Sequence, residues 1–442
     1  MLGVEIMKFE VLKKDNLKRN IIIGVFGVLI IGALVLNFTR AKYRSTASVP
    51  IVNSEVNYVR PDLNVVAIVV DGESTNTMPE GNYKLLDTSY CTVNGKNANV
   101  TLSWDQENNA LSVTPFTTRG TKCYLYFETA TTKTVNTALG NIEVKLDTPD
   151  FNKMAQADCG TITMCEETNG IYESVDDDGT TYYFRGDVDN NWAYFAGFYW
   201  QIIRINGDGS IRLIYNGSTT DRTSDDTVIN SEQVFNPSYV RSEYVGYMYT
   251  ENQQHGNTTS SSIKITIDTW YSTNLASYAN YISTETGFCG DREVASGYTW
   301  SSSGSTIYYA ARERLNSDSK TPTLKCSNKL DLYTLSSSSK GNKSLTYPIG
   351  LITADEAVMA GSGSDGPLGN GGYYLYNGVG NGYWTMTPYS YSRGNTYVYL
   401  IHHSYGGFVL RYVHVGARPV INLRADTTFT GTGTSSDPFI PV

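Results

Sequence analysis

Tyr383-Trp384-Thr385-Met386-Thr387-Pro388 and Val415-Gly416-Ala417-Arg418-Pro419-Val420-Ile421-Asn422-Leu423 bracket the stretch that decides the fold. Both are dense in β-branched and aromatic residues, which suit a pleated, half-buried surface. Between them, Thr396–His403 and Phe408–Val415 flank Ser404–Gly407, so the spacing predicts a hairpin that sets His403 beside Phe408 and His414 at the far end. His402, His403 and His414 then do not converge on one metal. Period-two alternation turns Val398 and Leu400 inward and Tyr397, Tyr399 and Ile401 outward. From Gly366 to Arg424 no Asp or Glu occurs, whereas the chain as a whole carries 43 in 442 residues. Tyr389, Tyr391, Arg393, Asn395, Tyr397, Tyr399, His402, His403, Tyr405, Arg411, Tyr412 and His414 fill that stretch with rigid amphipathic rings and adaptable polar groups, the residue types of recognition surfaces. These twelve are the candidate ligand-binding residues.

Upstream, two helices interrupt the strands. Ile263, Ile267, Trp270, Tyr271 and Leu275 recur at helical spacing and predict a helix over Ser261–Ala276. Thr353-Ala354-Asp355-Glu356 is a capping box that starts a second, followed by a Gly-rich loop from Gly361 to Gly382. Thr180–Arg185, Trp192–Tyr199 and Ile202–Ile205 read as strands, with Asp176–Gly179 and Asn206–Gly209 as turns. Residues 168–442 are thus expected to form a mixed α+β domain. Residues 147–167 are poor in aromatics and read as a linker. Residues 48–146 hold short strands (Leu63–Val70, Val100–Trp104, Ala110–Thr114, Lys122–Glu128) and predict a small immunoglobulin-like β-sandwich that acts as a spacer, with Trp104 in its core.

The six cysteines are even in number, and pairing within each module gives Cys91–Cys123, Cys159–Cys165 and Cys289–Cys326. No CxxC occurs, which removes the usual zinc and thioredoxin-like signatures. Asn20–Thr39 is a 20-residue uncharged run within residues 1–47, long enough at ~1.5 Å per residue to cross about 30 Å of hydrocarbon. Five basic residues precede it and three follow, so a transmembrane anchor with the body outside the cell is expected, a cleaved signal peptide being the alternative. Residues 1–44 hold eight Lys/Arg and three acids, which leaves 26 basic residues against 40 acids in 45–442. Such an acidic body argues against a nucleic-acid partner.

Gly361–Gly366 matches GxGxxG, but it follows a helix and leads into Pro367, so no helix N-terminus is there to hold a pyrophosphate. HExxH, GxSxG and Walker A strings are absent. Asp176–Asp178 and Asp187, Asp189 read as solvated turns rather than a calcium site. No catalytic residue, metal or cofactor is assigned.

Tyr383–Pro388, the Tyr/Ser/Asn-rich stretch after it and Val415–Leu423 together resemble the end of C-type-lectin-fold modules of the formylglycine-generating-enzyme-like kind, found in bacterial surface proteins and in the variable proteins of diversity-generating retroelements. Ile267–Tyr271 and Ile349–Ala357 fit the same pattern. The resemblance covers about residues 168–430 and implies a scaffold with a ligand-binding face. No Cys follows Cys326, so the enzymes' cysteine chemistry is not carried over; Glu-Pro-Asn, Gln-Pro-Asp and Trp-Asn-Asp are also missing, so calcium-dependent sugar binding is not implied. Between Tyr389 and His414 there is no Lys, Gln, Trp, Met, Glu or Asp, which suits a diversified segment. The expectation is a membrane-anchored extracellular protein binding a protein or glycan ligand. An exported enzyme acting on cell-wall or glycan substrates and a structural envelope protein are the alternatives.

Overall fold

The computed structural model describes residues 63–442 except 107, 116–119, 157, 162–163, 363–371, 377–381, 402–407 and 410–413. Strands make up 39% and helices 11%, so the fold is mostly β and the expected α+β class is corrected. Helices do occur where apolar spacing and capping call for them, but they are short. Among the described residues no helix is long and apolar enough to cross a membrane, and the expected transmembrane helix forms no part of the observed fold. The segment that suggested it, Asn20–Thr39, lies outside the described residues.

Two compact units divide at Ala130 and Thr131. The first contains β1 (Leu63–Val70), β2 (Glu73–Thr75), β3 (Tyr83–Leu85), β4 (Tyr90–Val93), β5 (Lys96–Asn97), β6 (Thr101–Asp105), β7 (Ala110–Thr114) and β8 (Thr121–Thr129). Its sheet runs β2–β1–β8–β4–β5, with β3 also on β8 and β1 parallel to β8. Alternation along β8 buries Thr121, Cys123, Leu125 and Phe127. Leu111 of the β6–β7 hairpin joins that core, and the half-buried Trp104 meets Phe127 edge-on at 4.9 Å. The disulfide does not support the expected immunoglobulin-like sandwich. Cys91 and Cys123 face each other on adjacent strands of one sheet, with Cα atoms 4.0 Å apart, rather than joining two sheets.

The second unit contains β9 (Thr132–Thr137), β10 (Gly140–Lys145), β11 (Gly170–Asp176), β12 (Gly179–Arg185), β13 (Trp192–Phe195), β14 (Phe198–Ile205), β15 (Ile211–Gly217), α1 (Ser262–Asn274), β16 (Ile307–Tyr308), α2 (Ala310–Leu315), α3 (Ala354–Ala360), β17 (Tyr383–Ser392), β18 (Asn395–Ile401), β19 (Phe408–Val409) and β20 (Val420–Leu423). The larger sheet runs β20–β15–β14–β12–β11–β10–β9, with β13 also on β14. Every residue of β15 is buried, as befits a strand covered on both faces. The expected run Trp192–Tyr199 is split by Ala196 and Gly197, whose φ of 55° and 85° make the tight turn of the β13–β14 hairpin.

The spacer boundary at 146 and the linker at 147–167 are corrected by backbone pairing. β9 and β10 join the second unit's sheet through the parallel β10–β11 ladder. Met154–Ala155 pairs with Cys165–Glu166, and Arg185 donates to the Lys153 carbonyl. A polar composition misleads here because main-chain hydrogen bonds and a buried guanidinium, not a run of apolar side chains, order the segment. All three expected disulfides are present.

Candidate functional site

The second unit's smaller sheet runs β16–β17–β18–β19, antiparallel throughout. Phe408 pairs with Val398, and His403, which the spacing set beside it, lies outside the described residues. Alternation along β18 sends Val398 and Leu400 into the main core as expected. The opposite face is not open along its length. Tyr399 (6% exposed) packs with Ala311 and Leu315 of α2 and Ala354 and Val358 of α3, and its hydroxyl donates to Asn316 Oδ1. Ile401 is buried too. The expected outward placement therefore fails for Tyr399, which α2 and α3 cover, and for Ile401, which packs into the main core.

Past α2 the face opens. Tyr389 and Tyr397 are half-buried, with ring centroids 6.5 Å apart, and Tyr389 meets Tyr399 edge-on at 5.1 Å. The Arg312 guanidinium of α2 lies 3.8 Å over the Tyr308 ring and 5.4 Å from the Tyr389 centroid. Tyr298, exposed, abuts Tyr308 edge-on at 5.1 Å. Burial disfavours the charge on Arg312, but the Tyr389 hydroxyl and the neighbouring Tyr308 and Tyr399 more than offset it, and its pKa is raised. Arg393 stands exposed at the tip of the β17–β18 hairpin with φ 53°, and the Asn395 side chain donates to its carbonyl.

These two arginines differ from the other described ones. Arg204, Arg212, Arg222, Arg241, Arg292, Arg314 and Arg424 each pair with a carboxylate. Arg185 and Arg418 are buried and donate to backbone carbonyls. Arg312 and Arg393 have no ion-pair partner among the described residues; Arg312 lies on the tyrosine rings and Arg393 is at the hairpin tip.

A concavity of about 60 Å³ lies where α3 meets the larger sheet and is lined by Asp176, Arg204, Arg212, Arg314, Asp355 and Glu356 among others. Here the charges satisfy one another. Thr353 caps α3 while Glu356 returns to the Thr353 N–H, and Glu356 also takes Arg204 at 3.1 Å and Arg212 at 2.5 Å. Asp176 holds Arg204 at 2.6 Å, so it is a buried ion-pair residue rather than a solvated turn. Arg314 bridges Asp291 and Asp355. Burial would push the Glu356 carboxyl up, but Arg212 and Arg204 outweigh it and hold it below its ordinary value. Burial pushes Asp355 up despite Arg314. The arrangement ties α3 to the sheet. Among the described residues no cluster of three His, Cys, Asp or Glu side chains is placed to hold a metal ion.

Of the twelve residues expected to bind ligand, Tyr389, Tyr397, Arg393 and Asn395 lie on or beside the open face. Tyr391 (2% exposed) and Tyr399 are core, Tyr391 donating to the Val240 carbonyl. His414 is exposed and lies by Glu232, with Nδ1 3.3 Å from its carbonyl. His402, His403, Tyr405, Arg411 and Tyr412 lie outside the described residues. Sequence reasoning missed Tyr298, Tyr308 and Arg312. The one available signal was the aromatic and basic cluster Tyr308-Tyr309-Ala310-Ala311-Arg312 after a Ser-rich stretch. No protein-family model, curated protein or solved structure matches the chain.

Proposed function

We propose that this is an extracellular binding protein that captures its ligand on the face formed by Tyr298, Tyr308, Arg312, Tyr389 and Tyr397, with Arg393 at its edge. One observation carries the reading. In a second unit whose other described arginines are spent on carboxylates or carbonyls, Arg312 lies on half-buried tyrosine rings and Arg393 stands exposed at the tip of the adjoining hairpin. Burying and pairing an arginine serves the fold; leaving one unpaired on aromatic rings serves a partner, since Tyr and Arg dominate the energetics of recognition surfaces. Export is supported by the cysteines, all six of which are paired. The partner is a protein or a glycan.

The test is a panel of immobilised defined glycans and 12-residue peptides, probed with the natural chain and with a Tyr389→Ala/Tyr397→Ala variant. Spots that bind the natural chain should lose at least about tenfold in signal with the variant, as hot-spot truncation does. Equal binding by both proteins across the panel would rule the face out.

A further inference from the structure

We infer that the partner is an acidic polypeptide, a segment that sets an Asp or Glu carboxylate against Arg312 and lays apolar side chains on Tyr389 and Tyr397. This rests on the reading of the face as a binding surface.

Three observations select this chemistry. First, a guanidinium 3.8 Å over the Tyr308 ring has one flat side covered, and its N–H donors lie in its plane, where the Tyr389 hydroxyl already meets the group. A planar fork of donors matches a carboxylate bidentately, a fit that no neutral hydroxyl reproduces. Second, charge is segregated. Residues 45–442 carry 26 basic residues against 40 acids, yet Gly366–Arg424 has no acid, and Arg312 and Arg393 lack carboxylate partners among the described residues. The nearest acid on α2, Glu313, accepts from the Ser296 N–H. An acidic partner is repelled by most of the body and attracted here, which sets both register and approach. Third, the rings do not offer a sugar platform. Tyr298 meets Tyr308 at 85°, Tyr389 meets Tyr397 at 61° and Tyr399 at 87°, and one face of Tyr308 is already under Arg312. Stacking a pyranose needs a free ring face or several in one plane; tilted edges and crevices instead accept side chains, as at protein interfaces.

The experiment is a selection from a displayed library of random 12-residue peptides against the full chain at 150 mM salt, followed by titration of the enriched peptides. The expected result is enrichment of peptides with Asp or Glu beside apolar residues. Their affinity should fall about 10- to 100-fold with Arg312→Gln, less with Arg393→Gln, and should weaken as salt rises. Arg393 is exposed, so its variant keeps the test valid if Arg312→Gln does not fold. Tetragalacturonate, an anionic glycan, should not compete. Enriched peptides without an acid, no enrichment at all, or competition by tetragalacturonate at equal affinity would each overturn the inference. The two levels separate cleanly. Acid-free peptides lost with Tyr397→Ala remove the acidic partner and keep the face, whereas peptides indifferent to Tyr397→Ala, Arg312→Gln and Arg393→Gln remove the face itself.

Discussion

Arg212 and Arg312 lie in the same unit and solve opposite problems. Arg212 is 1% exposed, paired with Glu356 and stacked 4.9 Å from the Phe288 ring centroid, so its charge is neutralised within the fold. Arg312 also lies over a ring but meets no carboxylate among the described residues, so its charge is left without a counter-ion there. A guanidinium on an aromatic ring is therefore not diagnostic by itself. What distinguishes a structural arginine from a recognition arginine is whether the chain supplies the anion.

The contrast can be broken at its buried end first. Glu356→Gln strands Arg212 without a counter-ion and leaves Arg204 only Asp176, and should cost about 3–5 kcal/mol, read as a lower denaturation midpoint. Removing the Cys289–Cys326 disulfide, which closes a separation of 37 residues beside the same cavity, should cost about 3–4 kcal/mol by the chain-entropy argument, measured the same way. Acid tests the pair differently. The Glu356 carboxyl is held below its ordinary 4.5 in the folded chain, so its contribution is complete above 4.5 and is lost as pH falls through the lower folded value. Asp331 has the same sign: burial raises it, but His255 and Arg292 more than compensate. Stability should thus hold from pH 7 to about 5 and fall below that, with a shallower fall in Glu356→Gln. Tyr399→Phe loses the hydroxyl bond to Asn316 and should cost about 1 kcal/mol, whereas Tyr397→Phe should be neutral to thermal unfolding. At the open end, Arg312→Gln should change stability by no more than about 2 kcal/mol, the worth of a partly desolvated cation–π contact. A large loss there would mean that Arg312 belongs with Arg212.

Much of the local structure was legible. The Ile263–Leu275 periodicity gives α1, the Thr353/Glu356 box gives the start of α3, and module-by-module pairing gives the three disulfides. These signals are local in the chain, or depend only on pairing near neighbours. What escaped depends on distant contacts. Period two correctly groups Tyr397 with Tyr399, but it cannot say that α2 and α3 lie over Tyr399 and leave Tyr397 open. Nor does any spacing reveal that Arg204 and Arg212 share Glu356, some 150 residues on. Arg312 and Tyr308 lie more than 70 residues from Tyr389, so their joining of the face is invisible until the sheet is built.

The step from Tyr399 to Tyr397 along one strand has an evolutionary consequence. On one side of it a ring is clamped by two helices, and on the other the Tyr397 ring is half-buried and the hairpin tip at Arg393 is exposed. Under the proposed reading, substitutions at the tip alter what the face accepts without recasting the scaffold, while the architecture is inherited intact.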